Sequence, residues 1–277
     1  MLTITNMKDL RKSNFHTHST FCDGRNTPEE IVTSAIERGF SSLGFSGHGY
    51  TPFDLRYCMT DTEGYISEVF RLKDKYKKDI QIYLGVEEDA FSPLERGRFD
   101  YIIGSSHYFC VRGEYLPIDS SHAHFQRCLE AFSGDVIALA DAYYSSFCAY
   151  IKKRRPDIIG HFDLITKFEE MGESHFLGNA EYEGIAKSAL LDAASAECIF
   201  EINTGAISRG IRSTVYPAEN LLHLLKKEGG KLILSSDSHS RDTLDYAFDD
   251  TRRYLYDIGF RELDTLYDGK FIPINMI

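Results

Sequence analysis

The sequence predicts an α/β barrel of seven strand–helix units, and three observations carry that prediction. Short apolar runs alternate with amphipathic stretches along the chain, as expected of parallel strands joined by helices. No low-complexity segment, evident linker or sequence repeat interrupts the alternation. Residues able to bind metal ions follow one apolar run after another, and in a βα barrel the C-terminal strand ends make one face.

The first run ends at Asn14-Phe15-His16. A helix is expected next, with Thr27 as its N-cap, Pro28 as its first residue, Glu30 as the returning acid of a capping box and a stop near Gly39. Ser42–Ser46 reads as strand two, Gly64–Lys77 as a helix and Ile80–Val86 as strand three. Tyr101–Gly104 is strand four, followed by helices near His122–Phe132 and Val136–Lys153. Ile158-Ile159 is a short strand five, Glu181–Ala196 a helix and Cys198–Ile202 strand six. A helix over Ala218–Lys227 follows Pro217, Lys231–Leu234 is strand seven, and Thr243–Tyr256 is the last long helix. Each of the seven strands is expected to lead into helical sequence, and Phe271–Ile274 is an eighth element or a tail.

With 277 residues and 43% hydrophobic content the chain can bury a large core, and one domain over 1–277 is expected because such barrels take roughly 250 residues. The formal net charge of −11 disfavours nonspecific nucleic-acid binding, which draws on Lys and Arg. An anionic substrate remains compatible, since bound divalent metals reverse the local field. The six cysteines form no C-x-x-C pair, and a chain of this size needs no disulfide staples, so free thiols in a cytoplasmic setting are expected. No signal-like N-terminal segment and no run of about 18 apolar residues is present, so no membrane partner is expected.

The strand ends carry the chemistry. Strand one ends in His16-Thr17-His18 with Asp23 shortly after; strand two precedes His48; strand three ends in Glu87. Strands four and five lead to His107 and His161, and strand seven to Asp237-Ser238-His239. Residues i and i+2 of a strand share a face, so His16 with His18, and Asp237 with His239, can grip one ion. Imidazole and carboxylate donors suit Zn, Mn or Fe. One H-x-H is more often incidental, and a lone strand-end histidine is more often a satisfied polar residue. The joint pattern outweighs those readings, because six of the ten histidines and three carboxylates follow strands in this way. His122-Ala123-His124 is an internal control: it opens a helix, where i and i+2 face apart, and is expected to bind no metal. His175 and His223 read as structural.

These residues resemble the motifs of the polymerase-and-histidinol-phosphatase superfamily, known as PHP. His16-Thr17-His18-Ser19 with Cys22-Asp23-Gly24 looks like its first motif and Ser46-Gly47-His48 its second. Gly85-Val86-Glu87, Gly104-Ser105-Ser106-His107, Gly160-His161-Phe162-Asp163 and Ser236-Asp237-Ser238-His239 match later ones in order. The resemblance implies a distorted (β/α)7 TIM-like barrel with the metal site at the C-terminal strand ends. It also implies three divalent ions. His16, His18, Glu87 and Asp237 would hold the first. Glu87 would bridge to a second with His107 and His161. Asp23, His48 and His239 would hold the third.

The segments around His107 and His161, and Glu201–Gly205 followed by Tyr216-Pro217, resemble the stand-alone histidinol-phosphate phosphatases of that superfamily. The implied activity is hydrolysis of L-histidinol phosphate in histidine biosynthesis by a metal-bridging hydroxide, with Asp237 or His239 relaying the leaving group's proton. Arg209 and Arg212, after strand six, are the candidate phosphate contacts, weighed against a reading as two solvated loop arginines. Glu114 and Asp119 are loop candidates for the substrate ammonium. The alternatives are a PHP-type phosphoesterase acting on another small monoester or a nucleotide, a phosphodiesterase with the same metal core, or a noncatalytic scaffold.

Overall fold

The computed structural model describes residues 10–172 and 174–276. The elements, in order, are β1 (Ser13–Asn14), α1 (Pro28–Glu37), β2 (Ser42–Phe45), α2 (Thr62–Lys75), β3 (Gln81–Asp89), β4 (Tyr101–Ser105), β5 (Tyr108–Val111) and β6 (Glu114–Pro117). There follow α3 (His122–Ala131), α4 (Val136–Arg154), β7 (Ile158–Ile159), α5 (Ala180–Ala194), β8 (Ile199–Asn203), α6 (Gly205–Ser208), α7 (Glu219–Glu228), β9 (Leu232–Ser235), α8 (Phe248–Ile258), β10 (Glu262–Tyr267) and β11 (Lys270–Asn275).

Seven strands pair in parallel in the order β1-β2-β3-β4-β7-β8-β9. The two ends meet at a parallel bridge between Thr17 and Ser238, where the His18 amide donates to Ser238 O (2.8 Å) and the Ser238 amide to His16 O (3.1 Å). The sheet therefore closes, and it does so beside the candidate ligands. This is the distorted (β/α)7 barrel expected from the sequence.

The helices form as their sequences dictate. Thr27 Oγ1 accepts from the Glu30 amide (3.3 Å) and Glu30 Oε2 accepts from the Thr27 amide (2.9 Å), closing the capping box of α1. Apolar faces of α1 and α2 pack Ile31, Val32, Val69 and Leu72 against Leu43, Phe45 and Leu84 of the sheet. A larger cluster joins α3, α4, α5, α7 and α8 to the other side of the barrel. Each such Leu, Ile or Phe contributes roughly 1.5–3 kcal/mol through burial.

Four details depart from the expectation. No α-helix follows β3; a 3-10 turn over Arg96–Arg98 leads into β4, in a stretch that Pro93 and Gly97 make unfavourable for a helix. An antiparallel β5–β6 hairpin rises after β4, turning at Arg112-Gly113 with positive φ at both residues (52° and 85°), as a two-residue type I′ turn requires. The last helix starts at Phe248, because Arg241–Thr243 forms a separate 3-10 turn and Ala247 takes a left-handed φ of 60°. The Phe271–Ile274 segment belongs to no barrel strand; it lies in β11, paired antiparallel with β10 across Asp268-Gly269.

That second hairpin closes the base. Its Leu266 and Phe271 join the barrel-interior cluster of Phe15, Tyr83, Tyr101, Ile103, Ile158, Ile199 and Ile233. Thr265 Oγ1 lies 3.0 Å from Ser13 Oγ at the start of β1. Among the described residues no helix is long and apolar enough to cross a membrane.

Tyr101 is the keystone of the interior. Its hydroxyl donates to Phe15 O (2.6 Å) and Phe45 O (3.2 Å), while its ring lies across two glycines. A Cβ at Gly85 would sit 2.2 Å from Tyr101 Cζ, and one at Gly44 would sit 2.2 Å from its hydroxyl. Gly85→Ala is therefore expected to destabilise the protein by about 1–3 kcal/mol, read as a lower urea midpoint at unchanged m-value. A wild-type midpoint would mean that the interior repacks around the methyl group.

Candidate metal centre

All nine residues expected as ligands converge at the C-terminal mouth of the barrel. Glu87, near the end of β3, occupies the middle and is buried (1% exposed). Its Oε2 lies 3.3 Å from His16 Nε2, 3.5 Å from His18 Nε2 and 2.9 Å from His48 Nδ1. Its Oε1 lies 3.2 Å from His107 Nε2 and 3.0 Å from His161 Nε2. Asp237 Oδ1 stands 3.7 Å from His16 Nε2 and 3.2 Å from His18 Nε2. At the outer edge Asp23 Oδ2 lies 3.2 Å from His239 Nε2 and 3.7 Å from His48 Nε2.

Four overlapping donor groups result, each with its ligand atoms within 4.8 Å of one another. They are His16, His18 and Glu87; His48, Glu87 and His107; His16, His161 and Asp237; and His18, Asp23, His48 and His239. His16 Nε2, His18 Nε2 and Glu87 Oε2 are buried and make no hydrogen bond. Unpaired buried nitrogen and carboxylate atoms are costly, and a cation between them removes the cost. The residues thus fit divalent transition-metal ions in their donor chemistry and in their unsatisfied atoms.

The electrostatics of the two carboxylates and of His18 agree, while His16, His48 and His107, against the effect of burial, are raised by the carboxylates around them, Glu87 among them in each case. Burial alone would raise the Glu87 pKa, but His16, His48 and His107 hold it well below the usual carboxylate range. For Asp237 burial is likewise overcome, by Arg209 and His16 above all. His18 is pushed down, by burial first and by the nearby His239 and His48. Neutral His18 is the form that can ligate.

Other residues aim the candidate ligands. His16 Nδ1 donates to Glu201 Oε1 (2.6 Å), which leaves Nε2 pointing at the cluster. Glu201 Oε2 also accepts from the His161 amide (2.9 Å) and from Asn203 Nδ2 (3.0 Å). The His107 amide donates to Asp89 Oδ2 (3.0 Å), and Ser105 Oγ donates to Glu87 Oε1 (2.7 Å). Asn14 Nδ2 donates to Thr17 Oγ1 (2.9 Å) and Ser236 Oγ (2.8 Å), tying the two ligand-bearing turns together. Asp237 takes a left-handed backbone (φ 46°), held by Arg209 Nη1 on its carbonyl (3.2 Å) and Nη2 on Oδ2 (3.0 Å). Sequence reasoning did not pick out Glu201 as a positioning group. The usable signal was a strand-end acid sharing a face with Asn203 two residues on.

The cluster opens into a cavity of about 440 Å³. Arg209 lines it; Arg212 does not, contrary to the expectation that both reach substrate. Arg212 is buried, with its guanidinium 4.3 Å above the Tyr216 ring and Nη1 donating to Thr166 Oγ1 (2.6 Å), so it braces the loop behind the site. Glu114 lies outside the cavity, paired with Arg127 at 3.2 Å, whereas Asp119 lines it. His122, His124, His175 and His223 belong to none of the donor groups. His124 Nδ1 is 2.9 Å from Ser121 Oγ at the start of α3, and His175 packs against Phe125.

A closed seven-stranded parallel barrel with a histidine–carboxylate cluster at its C-terminal mouth defines a metal-binding α/β barrel of the PHP class. The PHP domain family model matches residues 14–205, and the chain belongs to that family. A probable histidinol-phosphatase of Schizosaccharomyces pombe is 28% identical, over 92% of this chain and 89% of its own. The histidinol-phosphatase of Lactococcus lactis is 27% identical, over 96% of this chain and 98% of its own. A crystal structure of histidinol phosphate phosphatase from Lactococcus lactis, complexed with zinc, L-histidinol and phosphate, superposes with a TM-score of 0.72 at 22% identity, covering 95% of this chain and 100% of that one.

Two outcomes are expected from metal analysis of purified variants. His16→Ala and Glu87→Ala should each lower the bound metal per chain, while His122→Ala and His124→Ala leave it at the wild-type value. Glu201→Ala should weaken metal affinity about 10- to 100-fold in a chelator competition, because His16 loses the acceptor that orients it. Wild-type affinity in that variant would show that barrel packing alone orients the ring.

Proposed function

We propose that this chain hydrolyses L-histidinol phosphate to L-histidinol and inorganic phosphate. The observation that carries the reading is the complete donor set at the mouth of one cavity, in a PHP chain that aligns along nearly its whole length with named histidinol-phosphatases. Three ions would be held by the nine candidate ligands, one by His16, His18, Glu87 and Asp237, one by Glu87, His107 and His161, and one by Asp23, His48 and His239. All 277 residues act as one catalytic unit, and the six free thiols fit a reducing cytoplasm.

When bound, divalent ions lower the pKa of water and draw charge from phosphoryl oxygens. The residues of the chain do the rest. Arg209 grips Asp237 through Nη1 and Nη2 and borders the cavity, where its remaining donor capacity meets the phosphate oxygens as charge builds there. Asp237, held ionised by Arg209, takes a proton from the attacking water. The edge formed by Asp237 and His239, where His239 Nδ1 lies 3.6 Å from Asp237 Oδ1, returns a proton to the leaving alkoxide.

The test compares kcat/KM for L-histidinol phosphate with that for nucleotides, sugar phosphates and phosphodiesters under one metal condition. L-Histidinol phosphate should be preferred, and strong chelation should abolish turnover until Zn, Mn or Fe is restored. A preference for any of the other substrates would leave the metal centre standing and reject this substrate. Arg209→Ala should lower kcat/KM at least about tenfold, a loss of roughly 1.4 kcal/mol of transition-state stabilisation, with metal content measured alongside. Undiminished kcat/KM would place the phosphate clamp elsewhere.

A further inference from the structure

The substrate proposed above differs from most phosphate monoesters in one respect near its reacting end. The carbon bearing its ammonium is bonded directly to the methylene that carries the ester oxygen. An acceptor for that ammonium must therefore lie on the cavity wall close to the metal cluster.

Five carboxylates line the cavity: Asp23, Asp54, Glu87, Asp119 and Asp237. Three of them belong to the donor groups. Asp54 is saturated from within the protein. Its Oδ1 accepts from the Arg56 amide (3.2 Å) and Nε (2.8 Å), and its Oδ2 from Arg56 Nη2 (2.5 Å) and Tyr108 OH (3.0 Å). Asp119 is different. Its Oδ2 accepts from Lys167 Nζ (2.9 Å), and its Oδ1 accepts no hydrogen bond from any described residue. A carboxylate offers about four lone-pair sites, so a single lysine contact leaves most of that capacity open.

Its placement is also right. The Ile118 amide donates to His107 O (2.8 Å), so Asp119 follows directly on a segment pinned to a candidate ligand. The same contact fixes the backbone beneath the carboxylate. Lys167, from the segment after His161, holds the other carboxylate oxygen and is itself only 13% exposed. The ion pair thus presents one free carboxylate oxygen on a stiff mount beside the cluster.

We infer that Asp119 is the specificity residue that accepts the substrate ammonium, making the site selective for phosphate esters of 2-amino alcohols. The inference rests on the proposed function, because an ammonium acceptor has a purpose only if the substrate carries an amine. Asp119 does not touch the reacting atoms; it discriminates by leaving its free oxygen desolvated and unpaired when the ammonium is missing. A site built around a hydrogen-bonding group rejects analogues that lack it.

The experiment uses the metal-loaded enzyme and two substrates, L-histidinol phosphate and 3-(imidazol-4-yl)propyl phosphate, which is the same ester without its amino group. The readout is the ratio of their kcat/KM values, with metal content and melting temperature recorded for each variant. The wild-type ratio should be on the order of 10 to 100, as for one charge-assisted hydrogen bond. In Asp119→Asn the ratio should collapse toward unity, and Asp119→Glu should recover part of it. Asp54→Asn is the rival variant and should keep the wild-type ratio. The inference fails if Asp119→Asn keeps the wild-type ratio, if it slows both substrates equally, or if Asp54→Asn collapses the ratio instead. A wild-type enzyme that prefers L-histidinol phosphate over unrelated esters while Asp119→Asn retains the ratio sinks the Asp119 assignment alone. A wild-type enzyme that does not turn over L-histidinol phosphate sinks the proposed substrate, and this inference with it.

Discussion

Glu87 is a carboxylate removed from water, and five histidines approach it within 3.5 Å. Burying an ionised carboxylate costs several kcal/mol unless cations or donors surround it. The mouth of the barrel meets that requirement with His16, His18, His48, His107 and His161, contributed by four different strand ends. Once Glu87 occupies the middle, the parallel register must bring those ends level. The sheet must also close so that His16 and Asp237 sit on the same rim. The bridge between Thr17 and Ser238 performs that closure, and the Asn14 amide pins both turns.

Cations alone do not make a site; orientation does. An imidazole presents one nitrogen to the cluster only if the other is held, and Glu201 holds Nδ1 of His16. Arg209 plays the corresponding part for Asp237, whose left-handed backbone it secures from two sides. Glu201 stands on the buried strand β8, so His16 inherits the rigidity of the barrel, whereas Arg209 holds Asp237 from the turn after α6 at the edge of the cavity. The cavity wall, in contrast, is built from the loops and the β5–β6 hairpin, where Asp54, Tyr57, Tyr108 and Asp119 line it.

The base of the molecule shows the complementary economy of space. Tyr101 fills the interior because Gly44 and Gly85 lack side chains, and Leu266 with Phe271 seals what remains. A barrel filled in this way leaves one open end. The two glycines therefore make room for a bulky ring in the barrel interior, two residues before Glu87 along β3 in the case of Gly85.

The sequence by itself determined the barrel strands, because alternating apolar runs and caps such as Thr27 with Glu30 are local signals. It also pointed to the nine candidate ligands, because each follows an expected strand. The two-residue strand period holds for His16 with His18, which share a donor group, but not for Asp237 with His239, since Asp237 takes a left-handed backbone and the two fall in different donor groups. The Arg112-Gly113 and Asp268-Gly269 turns were likewise present as local signals, yet their hairpins were not inferred: two short strands of mixed polarity do not announce whether they pair with each other or join a larger sheet. Only the tertiary structure decided that Arg212 turns inward to Tyr216 while Arg209 reaches the cavity, since both lie in one loop and differ only in what packs beside them. Glu201 as the partner of His16, and Asp119 as the wall acid with an open oxygen, are long-range facts of the same kind. A side chain's chemical type is written in the sequence, but whether its hydrogen-bonding capacity is already filled depends on neighbours that only folding brings together.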